Sequence, residues 1–302
     1  MAPLKHAILG VGGVGGTLGT LLAHLGDSVS AVVRPNSLAN YPEQFHLEST
    51  FGNFDVPVSR AGEVPASDVL WISVKATQLD AALQAITAPE KMGAIVPLLN
   101  GIDHVSLLRA KYGNDRVIAG TIAGEMERVA PGRFVHRTPF LRLNLSSTGR
   151  GLLAAALDGL TKMGLDCRFI DDEATLMWSK LVFLAPIALA TTAADQPVGG
   201  VMSDPRWRQQ WEGCVREACA VATAEGAKVD PDAVLSGVPK MPGAMRSSMQ
   251  KDVEQGNPPE LAAIAGPIIL RGNGRGIDVT ATERLAEAVA ERTTHVPLKS
   301  RP

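Results

Sequence analysis

The residues with the clearest chemical pattern are three glycines near the start of the chain, Gly10, Gly12 and Gly15, in the spacing GxGxxG. They follow the short apolar segment 7–9 and precede residues 14–24, which have helical character. In such a turn the first glycine permits the bend, the second lets the backbone approach a pyrophosphate, and the third lets the helix pack on the strand. The N-terminus of the helix offers N–H groups and a positive dipole end to phosphates. The pattern therefore predicts a dinucleotide-binding site.

An arginine stands where the second strand of this motif is expected to end. Residues 29–33 are a β-branched run that completes a βαβ unit of about 30 residues. An NAD enzyme places Asp or Glu there for the ribose hydroxyls, whereas Arg34 would attract a 2′-phosphate and bind it in fork geometry. We therefore predict NADP as the cofactor, although a solvated loop arginine is the alternative. The predicted NADP-binding residues of this region are Gly10, Gly12, Gly13, Val14, Gly15 and Arg34.

Further strand and helix signals follow the glycine motif. Residues 68–74 and 94–99 are buried-strand candidates, and the helix-compatible residues 78–86 separate them. Strands without polar alternation are typical of a parallel sheet covered by helices on both faces. Two hairpins are also predicted, at Gly52-Asn53 and around Pro131-Gly132.

Strand signals fade after residue 170, where long Ala-rich and Leu-rich helical segments begin. We predict an α/β fold with a Rossmann-type NADP-binding domain over 1–170 and an all-helical substrate and catalytic domain over 171–302. Pro186 predicts a kink or early break in the first helix of the second domain. The candidate helices are 173–194, 205–225, 258–275 and 282–292, with Asp230-Pro231 and 237–243 as connectors.

Composition argues against several classes of partner. The 302 residues have a formal net charge of −2, so no global field favours nucleic acid or an anionic membrane surface. The longest apolar stretch, 181–194, is too short to span a bilayer and is predicted to be a buried core helix. The histidines and the three cysteines show no spacing typical of metal ligands or of a disulfide framework, so we predict no metal site. The sparse cysteines and the absence of a signal-peptide pattern over 1–10 lead us to expect a cytoplasmic protein.

Several short segments resemble, in the correct order, motifs of the ketopantoate reductase family. These segments are Lys75-Ala76-Thr77-Gln78, Asn100-Gly101, Trp178-Ser179-Lys180-Leu181, and Ser247-Ser248-Met249 with Asp252, Gly256 and Glu260. The resemblance spans residues 7–266. It implies an NADPH-dependent reductase of a 2-keto acid whose helical domain is of the 6-phosphogluconate dehydrogenase C-terminal-like type, and it makes a homodimer possible.

The resemblance also implies roles for individual residues. Lys180 would be the general acid in carbonyl reduction, and Glu260 would assist by binding the substrate or Lys180. Asn100 and Ser248 would contact the substrate, and Lys75 would lie near nicotinamide and substrate; Lys75, Asn100 and Glu260 would also bind the cofactor. A lysine suits this chemistry because it can stabilise an alkoxide first as a charge and then as a proton donor.

Each of these residues also has an ordinary structural interpretation. Lys180 could be a surface lysine with a buried stem, and Glu260 a first-turn acid favoured by a helix dipole. Asn100 could simply form a turn with Gly101. Lys75 and Ser248 could be surface groups, and Trp178 is more typical of a core residue.

The chain departs from the family pattern on the helix that carries Lys180. Family members that act on ketopantoate usually carry asparagines four and eight residues after this lysine, where the present chain has Leu184 and Ala188. Both positions share one helix face, so the change removes polar groups from one patch of the predicted substrate site. The family's aromatic residue and asparagine after the glutamate are replaced by Ala263 and Ala265. These departures predict a roomier, more apolar pocket.

Three functions remain compatible with the sequence. The first is 2-dehydropantoate 2-reductase, which makes pantoate for pantothenate biosynthesis. The second is a related 2-hydroxy-acid dehydrogenase that acts on a 2-keto acid with a bulkier apolar side chain. The third is a regulatory protein that binds NADP but is catalytically silent.

Overall fold

The computed structural model describes residues 3–295, which form two compact units. The first unit takes in residues 3–99 and 104–173, and the second takes in residues 100–103 and 174–295. The first unit contains a parallel sheet with helices and the second is helical, so the predicted fold class is confirmed. The second unit therefore contains a short segment, 100–103, that lies within the first domain predicted from the sequence.

The first unit contains strands interspersed with helices. Its strands are β1 (Lys5–Leu9), β2 (Ser28–Val32), β3 (Gln44–Ser49), β4 (Gly52–Pro57), β5 (Ser59–Ala61), β6 (Ser67–Ile72), β7 (Met92–Pro97), β8 (Gly120–Ala123), β9 (Met126–Ala130), β10 (Arg133–His136), β11 (Arg142–Ser146) and β12 (Asp166–Ile170). Its helices are α1 (Gly13–His24), α2 (Pro35–Leu38), α3 (Leu79–Ala82), α4 (Asp103–Tyr112) and α5 (Arg150–Lys162).

A parallel five-stranded sheet in the order β5-β2-β1-β6-β7 positions the glycine motif. Leu9 at the end of β1 is paired with Val32 of β2 and with Ile72 of β6. The segments that follow these three strands therefore leave the sheet at the same edge, which is where α/β proteins bind their ligands. β1 and β6 are almost completely buried, as the apolar residues 7–9 and 69–72 within them predict.

Two smaller sheets complete the first unit, in the orders β4-β3-β10-β9 and β12-β11-β8. The hairpin around Pro131-Gly132 is confirmed, because it joins the antiparallel strands β9 and β10. The hairpin of β3 and β4 also forms, but its predicted turn residues are wrong. Ser49 is paired with Gly52, so Thr50 and Phe51 make the turn. The Phe51 ring stacks on His136 with the ring centroids 5.4 Å apart, which anchors the turn two residues before Gly52-Asn53.

The continuous helix predicted over 78–86 is also wrong. The segment forms a 3-10 turn over Ala76–Gln78, the single α-helical turn α3, and a second 3-10 turn over Leu83–Ala85. A helix this short forms too few backbone hydrogen bonds to offset the free-energy cost of nucleation. The conformation of the segment is therefore determined by its packing. The buried residues Leu79 and Leu83 hold the segment in place.

The second unit is built from helices that pack around one apolar core. They are α6 (Glu173–Ala194), α7 (Val198–Ser203), α8 (Pro205–Ala224), α9 (Pro231–Gly237), α10 (Ser248–Glu254), α11 (Leu261–Ile264), α12 (Gly266–Arg275) and α13 (Thr280–His295). The α6 bounds agree with the predicted helix, and α8 and α13 differ from prediction by one to three residues at an end.

Helix α6 is the centre of this core. By length and composition alone it could cross a membrane, but 67% of its most apolar 18-residue window is buried inside the protein. The predicted buried core helix over 181–194 is therefore confirmed. Pro186 does not break the helix, which continues to Ala194. The lost N–H and the ring of Pro186 are tolerated because the surrounding residues are packed against the other helices.

Two predicted connections in the second unit have a different form. The helix expected over 258–275 is divided into α11 and α12, because Pro267 has no N–H to continue the ladder and instead begins α12 near its first position. Asp230 and Pro231 are not a plain connector. The Asp230 carboxylate accepts a hydrogen bond from the N–H of Asp232 at 2.9 Å and caps α9, and Pro231 begins that helix.

A pair of buried hydroxyls ties α10 to α6. Ser247 Oγ accepts a hydrogen bond from the N–H of Gln250 at 3.1 Å, which caps α10, and lies 2.8 Å from Thr191 Oγ1. Ser247 and Thr191 are 5% and 1% exposed, so water cannot easily replace either partner. This link fixes the segment that contains Ser248 to the helix that contains Lys180.

The hydroxyl link predicts a stability effect. We expect Ser247→Ala to lower the free energy of unfolding by about 1 to 2 kcal/mol, because it removes a helix cap and one of the two hydrogen-bond contacts of Thr191 Oγ1, the other being to the carbonyl oxygen of Ile187. Urea denaturation followed by circular dichroism measures the change. The control is Ser236→Ala, since the exposed Ser236 bonds only a carbonyl of its own helix turn. An equal effect of the two substitutions would contradict the proposed link.

Candidate active site

The glycine turn has the geometry that a dinucleotide-binding motif requires. Gly10 has a φ of 100°, which glycine adopts without strain. A Cβ at Gly15 would lie 2.3 Å from the carbonyl oxygen of Gly10, so only glycine lets α1 approach the turn this closely. Ser73 Oγ donates a hydrogen bond to the same carbonyl at 2.8 Å. Sequence reasoning missed Ser73, although its place directly after β6 could have indicated it.

Gly12 and Gly13 differ in the space that a side chain would have at each position. A Cβ at Gly13 would lie 2.2 Å from the carbonyl oxygen of Met126 on β9, so glycine is needed there for packing alone. Gly12 has a φ of −91°, and a Cβ there would meet no atom within 4 Å. The fold itself therefore does not require glycine at position 12. The open space in front of the Gly12 backbone, at the start of α1, fits a phosphate group that approaches the main chain.

Arg34 and Lys75 follow strands that are neighbours of β1. Arg34 is exposed and precedes α2, two residues after the end of β2. Lys75 is half-buried and lies three residues after the end of β6. Since β2, β1 and β6 are adjacent and parallel, both cations lie at the sheet edge that carries the glycine turn. Their positions agree with the sequence prediction, and their binding roles stay predictions.

Lys180 lies in the second turn of α6, beside residues of the apolar core. Trp178 and Leu181 flank it and are 3% and 1% exposed, which confirms that Trp178 is a core residue. Burial lowers the pKa of Lys180 to about 8, and the negative charge of Glu260 opposes this change. The amine is thus poised to hold a proton at neutral pH and to release it readily.

Glu260 is a buried carboxylate that the second unit holds in place. It is 7% exposed, and Asn100 Nδ2 donates a hydrogen bond to its Oε2 at 2.9 Å. Gly101, with a φ of 83°, packs against the carbonyl oxygen of Ala263, which a Cβ at Gly101 would approach to 2.3 Å. The Asn100-Gly101 turn is therefore fitted to the start of α11. The structure brings together the predicted site residues Lys180, Asn100 and Glu260.

Three other predicted substrate-binding residues, Leu184, Ala188 and Ser248, differ in their exposure to solvent. Leu184 is half-buried, one helical turn after Lys180 on the same face of α6. Ala188 is 0% exposed and lies inside the core, so it presents no surface to a ligand. Ser248 is exposed at the first position of α10. Of the two departures from the family pattern on α6, only Leu184 is available to alter the surface near Lys180.

No group of three or more His, Cys, Asp or Glu side chains within residues 3–295 is arranged to hold a metal ion. Cys167, Cys214 and Cys219 are free thiols in this range. Burial raises the pKa of the Cys214 thiol to about 12, which makes it a poor nucleophile. The titratable groups with the clearest potential for chemistry are therefore Lys180 and Glu260.

The chain matches two family models that together cover most of its length. The model described as ketopantoate reductase PanE/ApbA matches residues 6–148, and the model described as its C-terminal part matches residues 173–293.

Individual relatives agree with these matches. The 2-dehydropantoate 2-reductase of Caulobacter vibrioides is 30% identical over 282 residues, which cover 90% of this chain and 93% of the relative. A ketopantoate reductase structure from Ralstonia eutropha superposes with a TM-score of 0.84 at 25% identity and covers 96% of this chain and 99% of that one. A D-mandelate dehydrogenase structure with NADH and anilino(oxo)acetate has a TM-score of 0.82 at 21% identity, with coverage of 97% and 99%, and shows that the fold is shared.

The electrostatic arrangement around Lys180 gives a direct prediction. We expect Glu260→Gln to lower the pKa of Lys180 further below about 8, because the carboxylate that favours the ammonium form is removed while burial remains. The pH dependence of competitive amine labelling at Lys180, read by mass spectrometry, measures the shift. Glu283→Gln is the matched control, because Glu283 also accepts a hydrogen bond of 2.9 Å from an asparagine, Asn273. An unchanged Lys180 pKa in Glu260→Gln would refute the coupling.

Proposed function

Because the chain belongs to the ketopantoate reductase PanE/ApbA family of oxidoreductases, we propose that it reduces a 2-keto acid to a 2-hydroxy acid with NADPH. Ketopantoate is the first candidate substrate, which would place the enzyme in pantothenate biosynthesis. The same proposal includes a cytoplasmic enzyme and a homodimer, the latter tested by the mass of the protein in solution.

The observation that carries this proposal is the pairing of Lys180, whose pKa burial lowers to about 8, with the buried carboxylate of Glu260 that Asn100 holds in place. Reduction of a ketone produces negative charge on the former carbonyl oxygen. An ammonium group in a site of low polarity stabilises that charge and can then neutralise it with a proton. A pKa near the working pH favours both steps.

NADPH, when bound at the glycine turn, supplies the hydride that the carbonyl carbon receives. Lys180 Nζ donates its proton to the carbonyl oxygen as the C–O double bond becomes a single bond, and the neutral amine then regains a proton from water. Glu260 favours the protonated amine, and the hydrogen bond from Asn100 holds the carboxylate in place. We propose that Lys75 and Ser248 add binding contacts to the nicotinamide and the substrate.

Leu184 favours a second candidate, a 2-hydroxy-acid dehydrogenase for a bulkier apolar 2-keto acid. A leucine cannot bond a substrate hydroxyl, and the loss of one polar partner changes specificity by about 1 to 3 kcal/mol. A structural neighbour with this fold is a D-mandelate dehydrogenase. A catalytically silent NADP-binding regulator is the remaining alternative.

The substrate proposal is tested by the initial rate of NADPH oxidation with a panel of 2-keto acids. The panel contains ketopantoate, 2-ketoisovalerate, 2-ketoisocaproate, phenylpyruvate and benzoylformate. The highest kcat/KM for ketopantoate supports the first candidate, and a clear preference for an apolar acid supports the second. No turnover with any carbonyl substrate, despite NADPH binding, would favour the regulatory alternative.

Replacement of Lys180 tests the mechanism. We expect Lys180→Met to lower kcat by about 10²- to 10⁴-fold, because the proton donor is lost, while NADPH still binds. In the parent enzyme kcat is expected to fall as pH rises through about 8, where Lys180 loses its proton. The exposed Lys91 provides the control substitution Lys91→Met. Unchanged kcat in Lys180→Met would overturn the assignment.

Substitution of Gly12 tests cofactor binding separately from catalysis. We expect Gly12→Ala to keep the thermal midpoint within about 2 °C, because its Cβ meets no atom within 4 Å, and to weaken NADPH binding by at least about tenfold. Differential scanning fluorimetry and calorimetric titration measure the two quantities. Gly13→Ala is the contrasting variant, since its Cβ would collide with Met126 and should lower stability. Wild-type NADPH affinity in Gly12→Ala would contradict the site.

A further inference from the structure

Most arginines of the first unit have a partner for the guanidinium group. Ion pairs hold Arg60, Arg109, Arg133, Arg137, Arg142 and Arg168. Arg116 donates to backbone carbonyls and Arg150 stacks on Phe169. Within the part of the chain that the structure describes, Arg34 and Arg128 form no ion pair, and both are exposed. The two positive charges are therefore available to an anionic ligand.

Arg128 lies beside the glycine turn. It is on β9, whose Met126 touches Gly13 at the start of α1. Arg128 Nη1 is 3.4 Å from the carbonyl oxygen of Val11, inside the turn. At that distance the hydrogen bond is long and weak, so a stronger acceptor can replace the Val11 carbonyl oxygen.

The phenol of Tyr41 gives a second indication of where the Arg128 guanidinium lies. Tyr41 follows α2 and is 6% exposed. Burial raises the pKa of Tyr41, and the positive charge of Arg128 acts in the opposite direction, so the guanidinium lies close to the phenol. Arg128 is thus located between the turn that follows β1 and the segment that follows β2.

This location corresponds to one part of a bound dinucleotide. β1 and β2 are parallel neighbours, with Leu9 opposite Val32, and Arg34 follows the end of β2. In doubly wound folds the adenosine ribose lies between the ends of these two strands. A 2′-phosphate on that ribose carries a charge of about −1.5 to −2 at neutral pH, which one arginine does not fully balance.

We propose that Arg128 is a second binding residue for the 2′-phosphate of NADPH and acts with Arg34 to select NADPH over NADH. The inference rests on the proposed function, since it assumes that the glycine turn binds a nicotinamide dinucleotide. On binding, the Arg128 guanidinium exchanges the Val11 carbonyl for phosphate oxygens, a charge-assisted and fork-shaped contact. Arg128 carries no role in hydride or proton transfer.

Calorimetric titration of the full chain with NADPH, NADH and adenosine 2′,5′-bisphosphate tests the proposal. The last ligand has the 2′-phosphate but neither nicotinamide nor pyrophosphate. We expect Arg128→Met to weaken binding of NADPH and of the bisphosphate by at least about tenfold and to leave NADH binding within about twofold. Arg128→Lys should recover part of the loss, because it keeps the charge without the fork.

Arg133→Met is the matched control, because Arg133 is an exposed arginine on the adjacent strand and is paired with Glu48. It should leave all three affinities unchanged. Equal losses for NADPH and NADH in Arg128→Met would assign the residue to the pyrophosphate and overturn the proposal, as would unchanged NADPH affinity. Failure of the parent protein to bind either dinucleotide would instead overturn the proposed function on which the inference rests.

Discussion

The chemistry of this protein depends on one balance, between the cost of burying the Lys180 ammonium and the charge of Glu260 that offsets part of it. Burial alone would drive the lysine toward the neutral form, and a fully paired lysine would hold its proton too firmly to donate it. The pKa of about 8 lies between these limits. The apolar packing of α6 supplies the burial, and Asn100 fixes the carboxylate that opposes it.

The strongest sequence signals were those in which local physical chemistry leaves few choices. The apolar segment 7–9 and the largely apolar segment 68–74 are typical of buried strands, and a glycine with positive φ follows the first of them where the chain turns into α1. The long apolar run of α6 gave that helix its correct bounds despite Pro186. The site residues Lys180, Asn100 and Glu260 came from the resemblance to a family, since nothing in their spacing joins residues so far apart in sequence.

Features that depend on tertiary contacts were not predictable from the chain. The turn at Thr50 and Phe51 is set by a ring on another strand, His136, and Ala188 is enclosed by helices that sequence reasoning did not pair with α6. Arg128 had no signal at all, because one arginine in a strand of mixed charge looks like any solvated residue. The binding role proposed for Arg128 follows only from the position of β9 against the glycine turn.

Segment 100–103 sets a limit on how this protein can be dissected. It belongs to the second unit although the residues before and after it belong to the first. A fragment that starts at residue 174 would keep α6 and Glu260 but would lose Asn100, the packing of Gly101 on Ala263, the apolar contact of Ile102, and the Asp103 carboxylate that binds Arg271 at 2.5 Å. The helical half is thus not a contiguous piece of polypeptide. Any excised version would need these four residues grafted back before its lysine stood in its native surroundings.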